Sequence, residues 1–267
     1  MDGQCGSGSN AKEKIRPGEG RRAIAKIFEA FAYKHERHRV FRDCMELMAI
    51  ALSNAVDLRK RDEREARYLA VAKHYTREEL DQFCRVLGAL TIELEAGPAD
   101  VLGAVFSELE IHNAYAGQFF TPYEVAKLSA RMILGDAGAV RAQIERAGHI
   151  TVMEPAVGGG AMVIACADAL MEMQINYQQH LHVTAVDVDE RVAHMAYIQF
   201  ALLHIPAVVV VGNSLSLEVR DVWDTPAHIL GGWSGRLARN PVQPAAAAGD
   251  ELADAASASL AGQLALF

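Results

Sequence analysis

Residues 150–162 read Ile150-Thr-Val-Met-Glu154-Pro-Ala-Val-Gly158-Gly159-Gly160-Ala-Met162. An apolar β-branched run ends in an acid, three glycines follow, and an apolar helical pattern begins. That order is strand, turn, helix. Glycines at such a turn let backbone approach a ligand closely. The helix N-terminus behind them supplies free N–H groups and a positive dipole. A glycine turn can also serve only to reverse an α/β chain, so the residues around it decide its meaning.

Toward the C-terminus, 181–187 (LHVTAVD) reads as a strand, 189–204 as a helix and 206–211 (PAVVVV) as a strand. A fourth short strand is expected at 226–230 (PAHIL). The β-α-β-α-β alternation predicts a parallel, doubly wound sheet. Toward the N-terminus, a helix is expected at 137–147, and another begins with Thr121 as N-cap and Pro122 as first helical residue. Val125, Leu128, Met132 and Ile133 form the expected apolar stripe of that helix. From Arg21 to about Glu95 every pattern is helical, with Ile24, Ile27, Phe28 and Phe31, then Met45, Met48, Ala49 and Leu52, at helical spacing. Thr76-Arg-Glu-Glu79 reads as a capping box opening a helix. A further helix is expected over 99–112. The chain therefore divides into a flexible lead-in (1–19), a helical domain (20–112), an α/β domain (113–242) and a small-residue tail (243–267).

The composition excludes several classes. The chain has 267 residues, 51% hydrophobic and 22% charged, with net charge -8, an ordinary globular mixture. No run of about 18 uncharged apolar residues suggests a membrane span, and residues 1–14 lack the apolar stretch of a secretory signal, so a cytoplasmic location is expected. Cys5, Cys44, Cys84 and Cys166 have neither zinc-ligand nor disulfide-framework spacing. The ten histidines form no nucleophile or metal signature. Residues 1–75 hold 16 Lys/Arg against 11 Asp/Glu, while the remainder holds 10 against 23. A basic face on an acidic protein can meet phosphate. A solvated helical surface with pairs such as Arg61–Glu65 is the other reading.

Two acids stand at predicted strand ends: Glu154 after the first strand and Asp187 after the second. A carboxylate at the second strand end is the usual partner of ribose hydroxyls. It lies further from the glycine turn than the roughly 20 residues of a dinucleotide fingerprint, which argues against NAD. Glu154 suits a ligand bearing an amino group. S-adenosylmethionine carries ribose, adenine and an ammonium, and fits both acids. Asp187 alone also reads as a helix N-cap, and Phe119 and Phe120 alone read as core.

Asp100-Val-Leu-Gly103, Glu108-Leu109, Gly117-Gln-Phe-Phe-Thr-Pro122 and Glu154-Pro-Ala-Val-Gly-Gly-Gly160 together resemble the adenine-N6 DNA methyltransferase subunit of type I restriction–modification systems. The resemblance covers roughly residues 98–215 and extends more loosely over the helical N-terminus. It implies a Rossmann-like S-adenosylmethionine-dependent methyltransferase fold, with a partial sheet and a helical domain before it, acting on DNA. It also implies that Phe119, Phe120, Thr121 and Pro122 flank the methionine part of the cofactor. Glu154, Pro155, Gly158 and Gly160 would hold its amino-acid end, Asp187 its ribose, and Val188 would pack on its adenine. Asn213 stands where the family has an Asp near the adenine amino group.

The family's Asn/Asp-Pro-Pro-aromatic motif does not occur in this sequence. In such enzymes a side-chain oxygen and a backbone carbonyl accept the hydrogens of the target amine, and the aromatic stacks on the flipped base. The expected position reads His228-Ile-Leu-Gly-Gly-Trp233-Ser234, which leaves Trp233 as the candidate stacking residue, or as a cover of the sheet edge. Weak or absent adenine methylation is expected, and a partner chain or a second copy could complete the sheet.

The C-terminus, Gln263-Leu-Ala-Leu-Phe267, resembles the pentapeptide by which bacterial proteins bind the DNA polymerase sliding clamp. Leu264, Leu266 and Phe267 would fill apolar pockets, and Gln263 would bond at the rim. Two alternatives to a DNA methyltransferase stay open: a non-catalytic protein that binds DNA or the clamp, and a methyltransferase acting on RNA or protein.

Overall fold

The computed structural model describes residues 16, 18–31, 33–109, 120–239 and 264–265. Five helices come first: α1 (Gly20–Phe31), α2 (Arg37–Asn54), α3 (Arg61–Ala72), α4 (Arg77–Leu94) and α5 (Val101–Glu108). The helical spacings read from the sequence are the buried faces. Ile24, Ile27, Phe28 and Phe31 of α1 are buried, as are Met45, Met48 and Ala49 of α2. The capping box of α4 is complete: Glu79 N–H donates to Thr76 Oγ1 at 3.3 Å, and Thr76 N–H donates to Glu79 Oε2 at 2.9 Å. After α6 (Tyr123–Leu134) and α7 (Ala137–Ala147) the chain alternates β1 (Ile150–Glu154), α8 (Ala161–Glu172), α9 (Tyr177–His180), β2 (Leu181–Asp187), α10 (Glu190–Leu202) and β3 (Ala207–Asn213). It closes with β4 (Glu218–Asp224), α11 (Pro226–Leu230), α12 (Trp233–Arg239) and β5 (Leu264–Ala265). The fold is α/β and Rossmann-like.

β1, β2 and β3 are parallel, as the alternation of strands and helices predicts, with Glu154 beside Ala185 and Asp187 beside Val211. Two edges differ from the sequence reading. β4 pairs antiparallel with β3, placing Asp224 opposite Val208 at the start of β3. The backbone of Leu264–Ala265 lies parallel to Val152–Met153 on the other edge. The strand order is β4-β3-β2-β1-β5.

Three local expectations are corrected. Residues 226–230 form helix α11, not a strand, because Thr225 caps it through His228 N–H and Pro226 occupies its first turn. The strand is 218–224, whose charged residues hide its pattern: Lys60 pairs with Asp221 and Arg59 with Asp224. Helix α6 begins at Tyr123 with Pro122 as its N-cap residue and no side-chain cap, so Thr121 lies outside it. Its expected apolar stripe faces out, with Val125, Leu128 and Met132 exposed, while Ala126, Ala130 and Leu134 are buried. Small residues let α6 approach α8 closely, and that contact outweighs the larger side chains of the other face.

The helices and the sheet share one hydrophobic core that runs from Ile24 to Trp223. Helix α2 packs on α10, and Arg64 and Arg67 of α3 reach inward to β4. Arg64 is 2% exposed; it pairs with Asp57 at 3.1 Å and stacks over Trp223 at 4.0 Å. Arg67 bonds Glu46, Glu190 and Asp221. Much of the basic charge of α3 is thus neutralised within the molecule, and Glu65 accepts from Asn54. Among the described residues no helix is long and apolar enough to cross a membrane.

Candidate cofactor site

The glycine loop follows β1 and opens α8. Val157 N–H donates to Val186 O at 2.8 Å, which ties the loop to β2. Gly158 and Gly160 have φ of 53° and 100°, the left-handed region that glycine tolerates. A Cβ on Gly160 would lie 2.7 Å from the Phe200 ring, so helix α10 also approaches too closely for a side chain.

Asp187 ends β2 beside this loop. Its Oδ2 accepts Gly158 N–H at 2.8 Å and its Oδ1 accepts Asp189 N–H at 2.8 Å. The N-cap of α10 is Asp189, which accepts Arg191 N–H, so Asp187 is not the ordinary helix cap that the sequence also allowed. Burial raises its carboxyl pKa against the lowering effect of these two N–H donors.

Glu154 is 2% exposed. Its Oε1 accepts Ala156 N–H at 3.1 Å, and its Oε2 is buried with no hydrogen-bond partner. Burial first, and then the charge of Asp187, pushes its carboxyl up to about 7, against the Ala156 N–H, which lowers it. An orphaned buried carboxylate oxygen is costly unless a cation or donor completes it.

The site residues predicted from sequence separate into groups. Glu154, Pro155, Gly158, Gly160 and Asp187 surround the loop. Thr121 and Pro122 line a neighbouring cavity of about 450 Å³, and Phe120 joins the two groups. Its ring lies 3.3 Å from where a Gly158 Cβ would stand, and it stacks on Phe106 with centroids 4.9 Å apart. Val188 is exposed just past Asp187. Asn213 ends β3 with its Oδ1 accepting the N–H groups of Leu215 and Ser216, a local turn. Phe119, Gln263, Leu266 and Phe267 lie outside the described residues, and only the backbone of Leu264 is described.

Trp233 is corrected. It is 1% exposed and packs on His149 and His182 at the N-terminal end of the strands, opposite the glycine loop. Arg236 lies 3.7 Å above its ring. The cause is β4: an antiparallel return carries the chain back to the start of β3 before α11 and α12 begin. A ring sealed there cannot stack on a base at the loop.

Two residues not anticipated from sequence also meet the loop. Gln199 of α10 donates to Gly159 O at 2.8 Å and to Asp100 Oδ1 at 2.9 Å. Asp100 caps α5 through Gly103 N–H. The Asp100-x-x-Gly103 spacing is visible in the sequence, whereas no local pattern marks Gln199. Among the described residues no group of three or more His, Cys, Asp or Glu could hold a metal ion.

Residues 100–229 match the model of the N-6 DNA methylase family. No curated protein is similar enough in sequence to match the chain. Among solved structures, a protein described as a class I S-adenosylmethionine-dependent methyltransferase from Listeria monocytogenes is similar, with a TM-score of 0.40 and 11% identity over 71% of this chain. The match spans about half of that protein's own chain, 52%.

Proposed function

We propose that the chain binds S-adenosylmethionine at the β1–α8 loop and is an adenine-N6 DNA methyltransferase-like protein. The observation that carries this reading is the carboxylate pair: Glu154 with a buried unpartnered oxygen, and Asp187 locked at the end of β2. The donor set fits the cofactor. Asp187 would take the ribose hydroxyls with its remaining lone pairs, and the cofactor's positively charged sulfur side would complete Glu154. The match of residues 100–229 to the N-6 DNA methylase family supports this assignment. When bound, the cofactor supplies an electrophilic methyl group. The protein's residues orient it and exclude water through Phe120.

DNA is the proposed substrate, and the exposed Arg22 and Lys26 of α1, free of ion pairs among the described residues, are the candidate phosphate contacts. Because the 228–234 segment sits at the far end of the sheet, it does not hold the adenine. The chain alone is therefore expected to transfer methyl groups to DNA weakly or not at all.

Calorimetric titration of S-adenosylmethionine tests the reading. Micromolar binding, about -8 kcal/mol, lost in Asp187→Ala, is the expected result. No binding to the wild-type chain overturns it. Labelled methyl transfer to DNA that vanishes on Glu154→Ala would overturn only the expectation of weak catalysis. A second reading, recruitment of a sliding clamp through Gln263–Phe267, rests on the resemblance of those five residues to the clamp-binding pentapeptide, and it requires Leu264–Ala265 to leave their pairing with β1.

A further inference from the structure

The cavity of about 450 Å³ beside the glycine loop holds a charge pattern that the loop residues leave unexplained. Asp100 and Arg21 both line it, with Phe120, Thr121 and Pro122. Its volume falls within the ordinary range for small-molecule sites. We propose that Asp100, positioned by Gln199, binds the ammonium of an α-amino acid group in this cavity, and that Arg21 binds its carboxylate. The proposal rests on the reading of the loop as an S-adenosylmethionine site and assigns the ligand's amino-acid end to named residues.

Asp100 does more than cap a helix. Its Oδ1 alone accepts Gly103 N–H at 2.9 Å and Gln199 Nε2 at 2.9 Å. Its Oδ2 has no hydrogen-bond partner among the described residues. The side chain lies across Gly103, where a Cβ would stand 2.1 Å from Oδ2. Burial raises its carboxyl pKa against those two donors, so a cation at the free oxygen is favoured.

Gln199 holds this geometry. It is fully buried, and its Oε1 accepts Val101 N–H at 2.8 Å and Leu102 N–H at 3.0 Å. Its Nε2 donates to Asp100 Oδ1 and to Gly159 O. Both donors and both acceptor positions of the amide are used. One side chain therefore sets Asp100, the start of α5 and the glycine loop in a single register.

Arg21 supplies the complementary charge. It is exposed and has no ion pair among the described residues. Two other acids line the same cavity: Glu93, whose Oε2 already accepts Gly18 N–H and Gly20 N–H, each at 3.0 Å, and the solvent-exposed Glu124 of the first turn of α6. A zwitterion needs an anionic and a cationic partner; Asp100 is the buried acid with a free oxygen and Arg21 is the one base among the described lining residues.

The test compares two probes by calorimetry on the full chain: S-adenosylhomocysteine, and 5′-methylthioadenosine, which keeps the nucleoside and lacks the amino-acid group. Asp100→Asn retains the capping oxygen, so the fold is kept. It should weaken S-adenosylhomocysteine about tenfold or more and leave methylthioadenosine unchanged. Arg21→Gln should act in the same direction. Equal loss for both probes in Asp100→Asn marks a structural role and overturns the proposal, as does unchanged binding of S-adenosylhomocysteine. If the wild-type chain binds neither probe, the cofactor reading itself has failed. If it binds both and only the Asp100 discrimination is missing, this inference alone has failed.

Discussion

Glu154 ends β1 as a buried acid whose pKa is pushed from its usual value of 4.5 up to about 7, mainly by desolvation. The sign follows from linkage. The folded protein holds a proton that the unfolded chain releases between those values. The stabilisation is therefore complete below about 4.5 and is lost as pH rises through about 7. A cationic ligand reverses the preference, because it binds the ionised form. Melting of the unliganded protein should drop between about pH 5 and pH 8 relative to Glu154→Gln, while affinity for S-adenosylmethionine rises over the same range. Thermal melts and calorimetry at matched ionic strength check both trends. Affinity that stays flat with pH would show that Glu154 does not face the cofactor's positive charge. At this scale the sequence was informative: an acid after a strand and before three glycines can be recognised locally. The orphaned Oε2 was not legible, because its isolation depends on what packs around it.

The α11–α12 unit shows how a strand elsewhere relocates an element. Thr225 Oγ1 accepts Ala207 N–H at 2.9 Å and donates to Ile205 O at 2.9 Å, which pins α11 to the start of β3. Beneath it His182 Nε2 and His228 Nδ1 stand 2.9 Å apart, and His228 Nε2 meets Ser234 Oγ at 3.0 Å. Desolvation, then the neighbouring His228, His149 and Arg236, lowers the His182 pKa to about 3. His149 and His228 are lowered as well, again by burial first. These rings fold neutral. Their contribution is present above the usual value of 6.5 and is lost as pH falls from there toward about 3. Acid should therefore loosen α11–α12 from the sheet before the rest unfolds. In a Trp223→Phe background the fluorescence of Trp233 should shift to the red as pH falls below about 5, and His182→Leu should blunt the shift. A signal that changes only with global unfolding would sink this account.

Across the whole molecule, charge ties the helices to the sheet edge. Arg59, Lys60, Arg64 and Arg67 all bond β4 residues. The N-terminal positive charge read from sequence as a phosphate surface is partly spent on this internal lock, whereas Arg22 and Lys26 of α1 have no ion pair among the described residues. The other sheet edge carries Leu264–Ala265, two residues against β1. So short an edge pairing should contribute little. Deleting 263–267 should leave stability within about 1 kcal/mol and should abolish binding to a sliding clamp. Surface-plasmon measurement of clamp affinity checks this, and an unchanged affinity would refute the clamp reading.

The α/β class, the three parallel strands and their crossover helices, the α4 capping box and the acids flanking the glycine loop were all legible in the chain. Each of these is written in local periodicity, caps or turns, and neighbours in the chain suffice to set it. Long-range packing chose which face of α6 is buried, turned β4 back antiparallel, and placed Trp233 at the far end of the sheet. It alone brought Gln199, Asp100 and Gly159 together across about a hundred residues of chain. Periodicity records that a helix has an apolar face, or that a strand exists. It does not record how closely a small-residue face can approach its neighbour, or which distant charges stabilise an edge, and those contacts chose the arrangement.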